Sequence, residues 1–166
     1  MADWRPLMRR RDSGFPRIMG VLNMTPDSFY EDSRLSNVEE AIDTAMIMIE
    51  NGADWLDIGG ESTRPGAESI GYEEENRRVI PIIRAIREKF PEVGISIDTR
   101  RARVAAAALD EGADMVNDVS GLNDPEMIEI IKSRKCPICI MHMKGLPENM
   151  QNNPEYSDVV KEVKKA

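Results

Sequence analysis

The chain has one histidine, two cysteines and no excess of positive charge, and each scarcity removes a class of function. One imidazole and two thiols are too few soft ligands for a tetrahedral zinc centre. Lysine and arginine number 22 against 30 aspartate and glutamate, and the resulting net charge of -8 argues against nucleic acid or a membrane surface as the main partner. No apolar run approaches the roughly eighteen residues of a membrane span. The segment Met1-Ala2-Asp3-Trp4-Arg5 lacks the apolar core of a secretion signal, and Arg9-Arg10-Arg11 reads as a solvated basic run in a polar arm. The expectation is a soluble, cytoplasmic protein. With 166 residues, 41% apolar and 31% charged, the chain is long enough for one domain with a sizeable core.

The two cysteines form Cys136-Pro137-Ile138-Cys139, superficially a redox or metal pair. The context argues otherwise. Pro137 to Met141 reads as a buried strand, where residues three apart point to opposite faces, whereas a thioredoxin-type pair opens a helix. A structural role is expected.

Strand and helix alternate along the chain. An apolar run, Arg17 to Leu22, ends at Asn23. A helix follows, opened by a capping box of Ser36 and Glu39, with Val38, Ala41, Ile42, Ala45, Met46 and Ile49 at helical spacing and Gly52 closing it. The run Trp55-Leu56-Asp57-Ile58 then leads into Gly59-Gly60-Glu61-Ser62-Thr63-Arg64-Pro65-Gly66. A helix from about Tyr72 to Phe90 presents Val79, Ile82, Ile83 and Ile86 inward, with Pro81 predicting a kink or a late start. Gly94 to Ile97 is a strand ending at Asp98-Thr99, and an alanine-rich helix from Arg101 to Glu111 follows. Met115-Val116 is a strand ending at Asn117-Asp118, and Asp124-Pro125 opens a helix to Lys132. A fifth strand ends at His142, and Pro154 begins a last helix with Val159, Val160 and Val163 as its apolar stripe. Asn51-Gly52-Ala53-Asp54 is echoed 60 residues later by Glu111-Gly112-Ala113-Asp114, each just ahead of a strand. Repeated βα units of this kind predict parallel strands joined by right-handed crossovers.

In parallel α/β folds, ligands bind where strands deliver their carboxyl-terminal residues. Here those are Asn23, the Glu61-Ser62-Thr63-Arg64 loop, Asp98, Asn117 and His142. The loop glycines Gly59, Gly60 and Gly66 would allow close backbone approach and positive φ, and Arg64 offers a fork for phosphate or carboxylate. Asp98 and Asn117, on consecutive strands, suit a planar heterocycle with amino and ring N–H groups. Asn23 and Arg64, with Thr63, suit an anionic group beside it. The bland alternatives are a helix N-cap for Asp98, a turn former for Asn117 and an ordinary surface loop for the glycine-rich stretch.

Leu22-Asn23-Met24-Thr25-Pro26-Asp27-Ser28-Phe29, the Gly-Gly-Glu-Ser-Thr-Arg-Pro-Gly loop, Ser96-Ile97-Asp98-Thr99, Asn117-Asp118 and Met141-His142-Met143 together resemble dihydropteroate synthase. The resemblance runs from about Arg17 to the last residue and implies a (β/α)₈ TIM-barrel fold, of which this chain holds about five βα units. It implies a pterin-binding barrel portion over 17–166, preceded by the polar arm over 1–16. It also implies condensation of p-aminobenzoate with 6-hydroxymethyl-7,8-dihydropterin pyrophosphate in folate biosynthesis, with Mg²⁺ on the pyrophosphate. Carried over by motif, Asp98 and Asn117 would hold the pterin edge, with Val119 and Met141 against its ring. Asn23 would contact the metal–pyrophosphate group, and Thr63 and Arg64 would lie near the pyrophosphate. Phe29 and Pro65 would shape the p-aminobenzoate pocket, where sulfonamides also bind.

Two departures from the family pattern stand out. After its phenylalanine the first loop reads Tyr30-Glu31-Asp32-Ser33 rather than Ser-Asp-Gly-Gly, so Glu31 or Asp32 would have to supply the loop carboxylate. The family's later aspartate, lysine and R-x-H motifs have no counterpart in these 166 residues. His142, on the fifth strand, is expected to be structural or pocket-lining. The chain alone is therefore expected to be inactive, completed by a separate chain, or a non-catalytic pterin-binding or assembly module. Another pterin-binding barrel, such as a folate-dependent methyltransferase, is the enzymatic alternative.

Overall fold

The computed structural model describes residues 14–24, 34–62, 69–142, 144 and 153–165. Residues 1–13 of the arm over 1–16 lie outside them. Strands and helices alternate as β1 (Met19–Asn23), α1 (Arg34–Glu50), β2 (Trp55–Gly59), α2 (Tyr72–Lys89), β3 (Gly94–Asp98), α3 (Ala102–Asp110), β4 (Met115–Asp118), α4 (Pro125–Arg134), β5 (Ile138–Ile140) and α5 (Val159–Lys165). All strand pairs are parallel and the sheet order is β1-β2-β3-β4-β5. Successive helices pack on one another, α1 on α2, α2 on α3 and α3 on α4. A doubly wound sheet reverses its strand order and splits its helices between two faces. A sequential sheet with one helical layer is an arc of a (β/α)₈ barrel.

Alternation along the strands sorts the core. Leu22, Ile58, Ile97 and Val116 follow one another across the register, and each is at most 2% exposed. Leu56 and Ile95 repeat the pattern one layer earlier, and all six belong to the cluster that α2 enters with Val79, Ile82, Ile83 and Ile86. Each such side chain contributes on the order of 1.5–3 kcal/mol by leaving water. Small residues bring the outer layer close: Ala102, Ala105 and Ala108 of α3 and Ala41 and Ala45 of α1 are buried.

The repeated Gly-Ala-Asp segments do the same work at the amino-terminal end of the sheet. Gly52 and Gly112 take φ of 97° and 110°, turning the chain from helix into strand as side-chain-bearing residues rarely can. The Asp54 carboxylate accepts from Ile18 N at 2.9 Å and from Arg17 at 2.6 Å. The Asp114 carboxylate accepts from Ile95 N at 2.9 Å and from Arg87 at 2.5 Å. Each aspartate thus locks its own strand to the preceding one.

Several expected boundaries move. Helix α1 starts at Arg34, so Ser36 lies inside it rather than at its cap. Pro81 falls within an unbroken α2; it sits on the exposed side, where the Arg77 carbonyl that loses its donor can turn to water. Asp124 caps α4 as expected, accepting from Glu126 N, and also accepts from Ala102 N at 2.8 Å. The fifth strand ends at Ile140, and it is not buried: Cys139 and Ile140 are exposed, and among the described residues β5 is paired on one side only. Cys136 packs against the core and neither cysteine is bridged. Helix α5 begins at Val159, not Pro154, and its three valines are 41–60% exposed.

Candidate functional site

One row of side-chain positions crosses the carboxyl-terminal end of the sheet. Asn23 pairs with Gly59, Gly59 with Asp98, Asp98 with Asn117, and Asn117 with Cys139. Neighbouring parallel strands lie about 4.8 Å apart, so Asp98 and Asn117 present one continuous polar edge. Gly59 opens a gap in that row: a Cβ there would meet Asp98 Oδ2 at 3.3 Å and Asn23 Oδ1 at 3.7 Å. Gly59 and Gly60 are absent from the positive-φ glycines, so their role is room rather than φ. At Gly60 the room is taken by α2, whose Val79 Cγ1 would stand 2.8 Å from an added Cβ.

Beneath this row lies a second, in which Asp57 pairs with Val21 and Ser96, and Ser96 with Met115. Asp57 is 5% exposed and its Oδ2 accepts from Asn117 Nδ2 at 2.9 Å. Its Oδ1 and the Ser96 hydroxyl are buried without a partner in hydrogen-bond geometry. Burial raises the Asp57 carboxyl above its usual range, and Ser96 and Asn117 offset part of that rise. Burial likewise pushes Asp98 up to about 7, assisted by the negative charges of Asp57, Glu75, Asp118 and Glu61. A carboxyl shifted this far on a polar edge marks a candidate site, and in its ionised form it accepts N–H donors.

A charged collar flanks the edge. Burial alone would raise Glu61, but hydrogen bonds from Arg100 and Arg101 outweigh it and hold the carboxyl at about 2. Glu61 also accepts from Ser69 Oγ and Ile70 N, each at 3.0 Å. Arg101 additionally reaches the fully buried Glu75 and the Ile70 carbonyl. Arg78 donates to the Gly60 carbonyl at 2.9 Å. Both stems of the glycine-rich loop are therefore tied to α2 and to the start of α3.

The bland alternatives for the two central residues do not hold. Asp98 does not cap α3: its N-cap is Arg101, whose N–H meets Thr99 Oγ1, and Ala102 N meets Asp124. Asn117 is a strand residue on the row. The turn is made instead by Asp118, which accepts from Ser120 N, Ser120 Oγ and Leu122 N.

A family model described as pterin binding enzyme matches residues 19–166. The chain belongs to that family. It is 47% identical to the dihydropteroate synthase of Synechocystis sp. over 148 residues, covering 89% of this chain and 51% of that protein. Its fold matches a Yersinia pestis dihydropteroate synthase crystallised with a sulfonamide drug complex, at TM-score 0.83 and 39% identity, covering 93% of this chain and 56% of that one. It also matches a Xanthomonas albilineans dihydropteroate synthase crystallised with 4-aminobenzoic acid, at TM-score 0.77 and 42% identity, covering 90% and 52%. The chain spans about half the length of the relatives it matches.

Of the expected site residues, the structure brings Asn23, Asp98 and Asn117 into one row. Val119 follows β4 half-buried, and Met141 follows β5 with 38% exposure. Phe29, Thr63, Arg64 and Pro65, with Glu31 and Asp32, lie outside the described residues. His142 is off the row, beyond the end of β5; its ring is tilted against Tyr156 at 5.9 Å and its Nε2 is buried without a partner. The position on the row belongs to Cys139. Asp57 emerges only in the structure. Its signal in the sequence is slight: a lone carboxylate inside an apolar strand, two residues before a glycine, hence on the same face as the site.

Proposed function

We propose that this chain forms the pterin-binding arc of a dihydropteroate synthase. The observation that carries the reading is the Asp98–Asn117 edge, an acceptor pair at the carboxyl ends of two register-matched strands. It suits the amino and ring N–H groups of 6-hydroxymethyl-7,8-dihydropterin pyrophosphate. Family membership and the Yersinia and Xanthomonas likenesses support the same reading, including p-aminobenzoate as second substrate and sulfonamides as competitors.

In the reaction the C–O bond between the pterin methylene and pyrophosphate breaks, with the electron pair leaving on pyrophosphate. The aniline nitrogen of p-aminobenzoate then forms the C–N bond and releases a proton to solvent. The developing positive charge at the methylene would sit beside the ionised edge, where Asp98 supplies negative potential in a poorly solvated setting. Val119 and Met141 would lie against the ring, Thr63 and Arg64 near the leaving group, and Phe29 and Pro65 at the p-aminobenzoate pocket.

Among the described residues no group of three His, Cys, Asp or Glu could hold a metal. Asn23 offers one exposed amide oxygen at the end of the row. That fits a Mg²⁺ held mainly by substrate phosphates and water. When bound, the ion would offset the charge of the departing pyrophosphate.

The exposed edges support one partner reading. Among the described residues β1 and β5 each pair on one side only, and Val21 and Ile140 are 52% and 55% exposed. Unpaired apolar strand edges recruit further strands, and the occupant proposed is the rest of the barrel, which the matched relatives possess. Among the described residues no helix is long and apolar enough to cross a membrane, and a cytoplasmic location belongs to the proposed reading.

Calorimetry with 6-hydroxymethyl-7,8-dihydropterin pyrophosphate tests the site: weak binding is expected, and no binding at millimolar ligand overturns the reading. Dihydropteroate formation is expected to be undetectable for this chain alone and to appear when a chain supplying the remaining strands is added. A stable monodisperse monomer at high concentration, unmoved by that chain, would sink the complementation.

A further inference from the structure

Asp57 is costly and unexplained by packing. The other positions of its layer are Val21, Ser96 and Met115, and a valine or leucine at 57 would fill the layer without burying a carboxylate. Instead the chain keeps a charge that is 5% exposed, with one oxygen lacking a partner in hydrogen-bond geometry. Retaining an unsatisfied buried carboxylate lowers stability, and such local violations concentrate at functional sites.

The contact that Asp57 does make lies beneath the pterin edge. An ionised carboxylate only accepts, so Asn117 must turn its amide nitrogen down to Asp57 Oδ2, at 2.9 Å. That choice leaves the amide oxygen and the second N–H of Asn117 on the row beside Asp98. An asparagine free to flip would present oxygen and nitrogen interchangeably, and half of its population would meet a ligand N–H with an N–H. Gly59, two residues after Asp57, bears no side chain over it, so nothing on β2 stands between this carboxylate and the row above.

We propose that Asp57 is a positioning residue that fixes the amide orientation of Asn117, so that Asn117 and Asp98 together present acceptors to the pterin N–H edge. The proposal deepens the reading of this site as a pterin site and rests on it. Asp57 acts through Asn117 and does not touch the ligand.

A double-mutant cycle and one spectroscopic measurement test it. Asp57→Asn is nearly isosteric and removes a buried charge, so the fold is expected to melt at the same temperature or higher. Its affinity for 6-hydroxymethyl-7,8-dihydropterin pyrophosphate is expected to fall about tenfold or more, the scale of a misdirected hydrogen bond to a charged group. In an Asn117→Ala background the same change is expected to alter affinity less than twofold, because the residue it orients is gone. Affinity unchanged by Asp57→Asn, or an equal loss with and without Asn117, overturns the proposal. The side-chain amide of Asn117, followed by NMR in the unliganded parent chain, gives a readout independent of the variants. Slow exchange of one Nδ2 proton is expected, and exchange as fast as at a solvent-exposed asparagine overturns the proposal even if Asp57→Asn fails to fold. Should the parent bind no pterin, the fault lies with the functional reading, and the amide signal still decides whether Asp57 fixes Asn117.

Discussion

The two ends of this sheet carry the same residue type with opposite consequences. At the amino-terminal end, Asp54 and Asp114 each hold a backbone N–H and an arginine, and both close a repeated turn. At the carboxyl-terminal end, Asp98 and Asp57 face one another's charge with no arginine attached, and burial raises both. One end uses carboxylates as fasteners. The other holds them underpaired, as an edge waiting for donors. Barrel enzymes divide stability and chemistry between their two ends in this sense, and here the division shows in the partners of four aspartates.

Exchanging the damage between the ends gives the largest expected effects. Asp98→Ala should abolish measurable pterin binding, a loss of about a hundredfold or more, because the ligand N–H groups lose their acceptor. Its thermal stability should be unchanged or higher. Asp114→Ala should do the reverse, costing about 2–3 kcal/mol by leaving Ile95 N buried without its acceptor and taking the carboxylate from Arg87, which keeps only the Gly112, Pro91 and Val93 carbonyls. Whatever remains folded should bind pterin as the parent does. Calorimetry beside urea melts checks both, and equal pterin affinity for parent and Asp98→Ala would remove the site from this end of the sheet.

The pH dependence separates the ends next. Asp98 is raised from 3.8 to about 7, so the folded chain binds a proton that the unfolded chain has already lost. Its contribution to stability is therefore greatest below about pH 4, declines as pH rises to about 7 and is level above that. A shift of about three units corresponds to about 4 kcal/mol at most. Pterin affinity should move oppositely, rising as pH climbs through 7 and the acceptor ionises. Asp98→Asn should flatten both curves. Melts between pH 4 and 8 that decline identically for parent and Asp98→Asn would assign the slope to another group.

How far this division was legible in the sequence depends on what each signal rests on. The repeat Gly-Ala-Asp could be seen because both copies precede strands, and Asp98 and Asn117 because each directly follows the last apolar residue of its strand. Register then did the rest, since consecutive parallel strands must place such residues side by side. Asp57 was hidden by being one polar residue in a strand that is buried throughout. Asp118 was hidden behind Asn117, and only the turn geometry shows which of the two makes the bend. The apolar run at Ile138–Ile140 and the stripe of Val159, Val160 and Val163 point to burial, but hydrophobicity states only what a residue would cover if a neighbour were present. The collar around Glu61 joins residues up to 40 apart, a distance over which pattern carries no information.

That collar should give an intermediate effect. Arg101→Met removes the cation from Glu75, which is fully buried, and from Glu61. A loss of about 2–3 kcal/mol is expected from the stranded Glu75 carboxylate. Pterin affinity should fall only severalfold, since the Asp98–Asn117 edge stands apart from it. A urea melt of Arg101→Met that matches the parent would show that Glu75 is satisfied by other means.

The smallest expected effects come from the same substitution made at each end. Gly112 adopts φ of 110°, and an added Cβ would stand 2.9 Å from Arg87 Cγ. Gly112→Ala should therefore cost about 1–2 kcal/mol through backbone strain and displacement of the Arg87 side chain. Gly59 lacks a positive φ, and its added Cβ would meet Asp98 Oδ2 at 3.3 Å, the tip of a side chain that can give way. Gly59→Ala should leave stability within about 0.5 kcal/mol of the parent, the usual range for a change that strains nothing. It should still weaken pterin binding, because it fills the gap between Asp98 and Asn23 and turns the acceptor. Glycine is needed at one end for its conformation and at the other for the space it leaves. If Gly59→Ala were to unfold the chain as readily as Gly112→Ala while leaving pterin affinity untouched, the gap in the row would be a packing requirement rather than part of a binding edge.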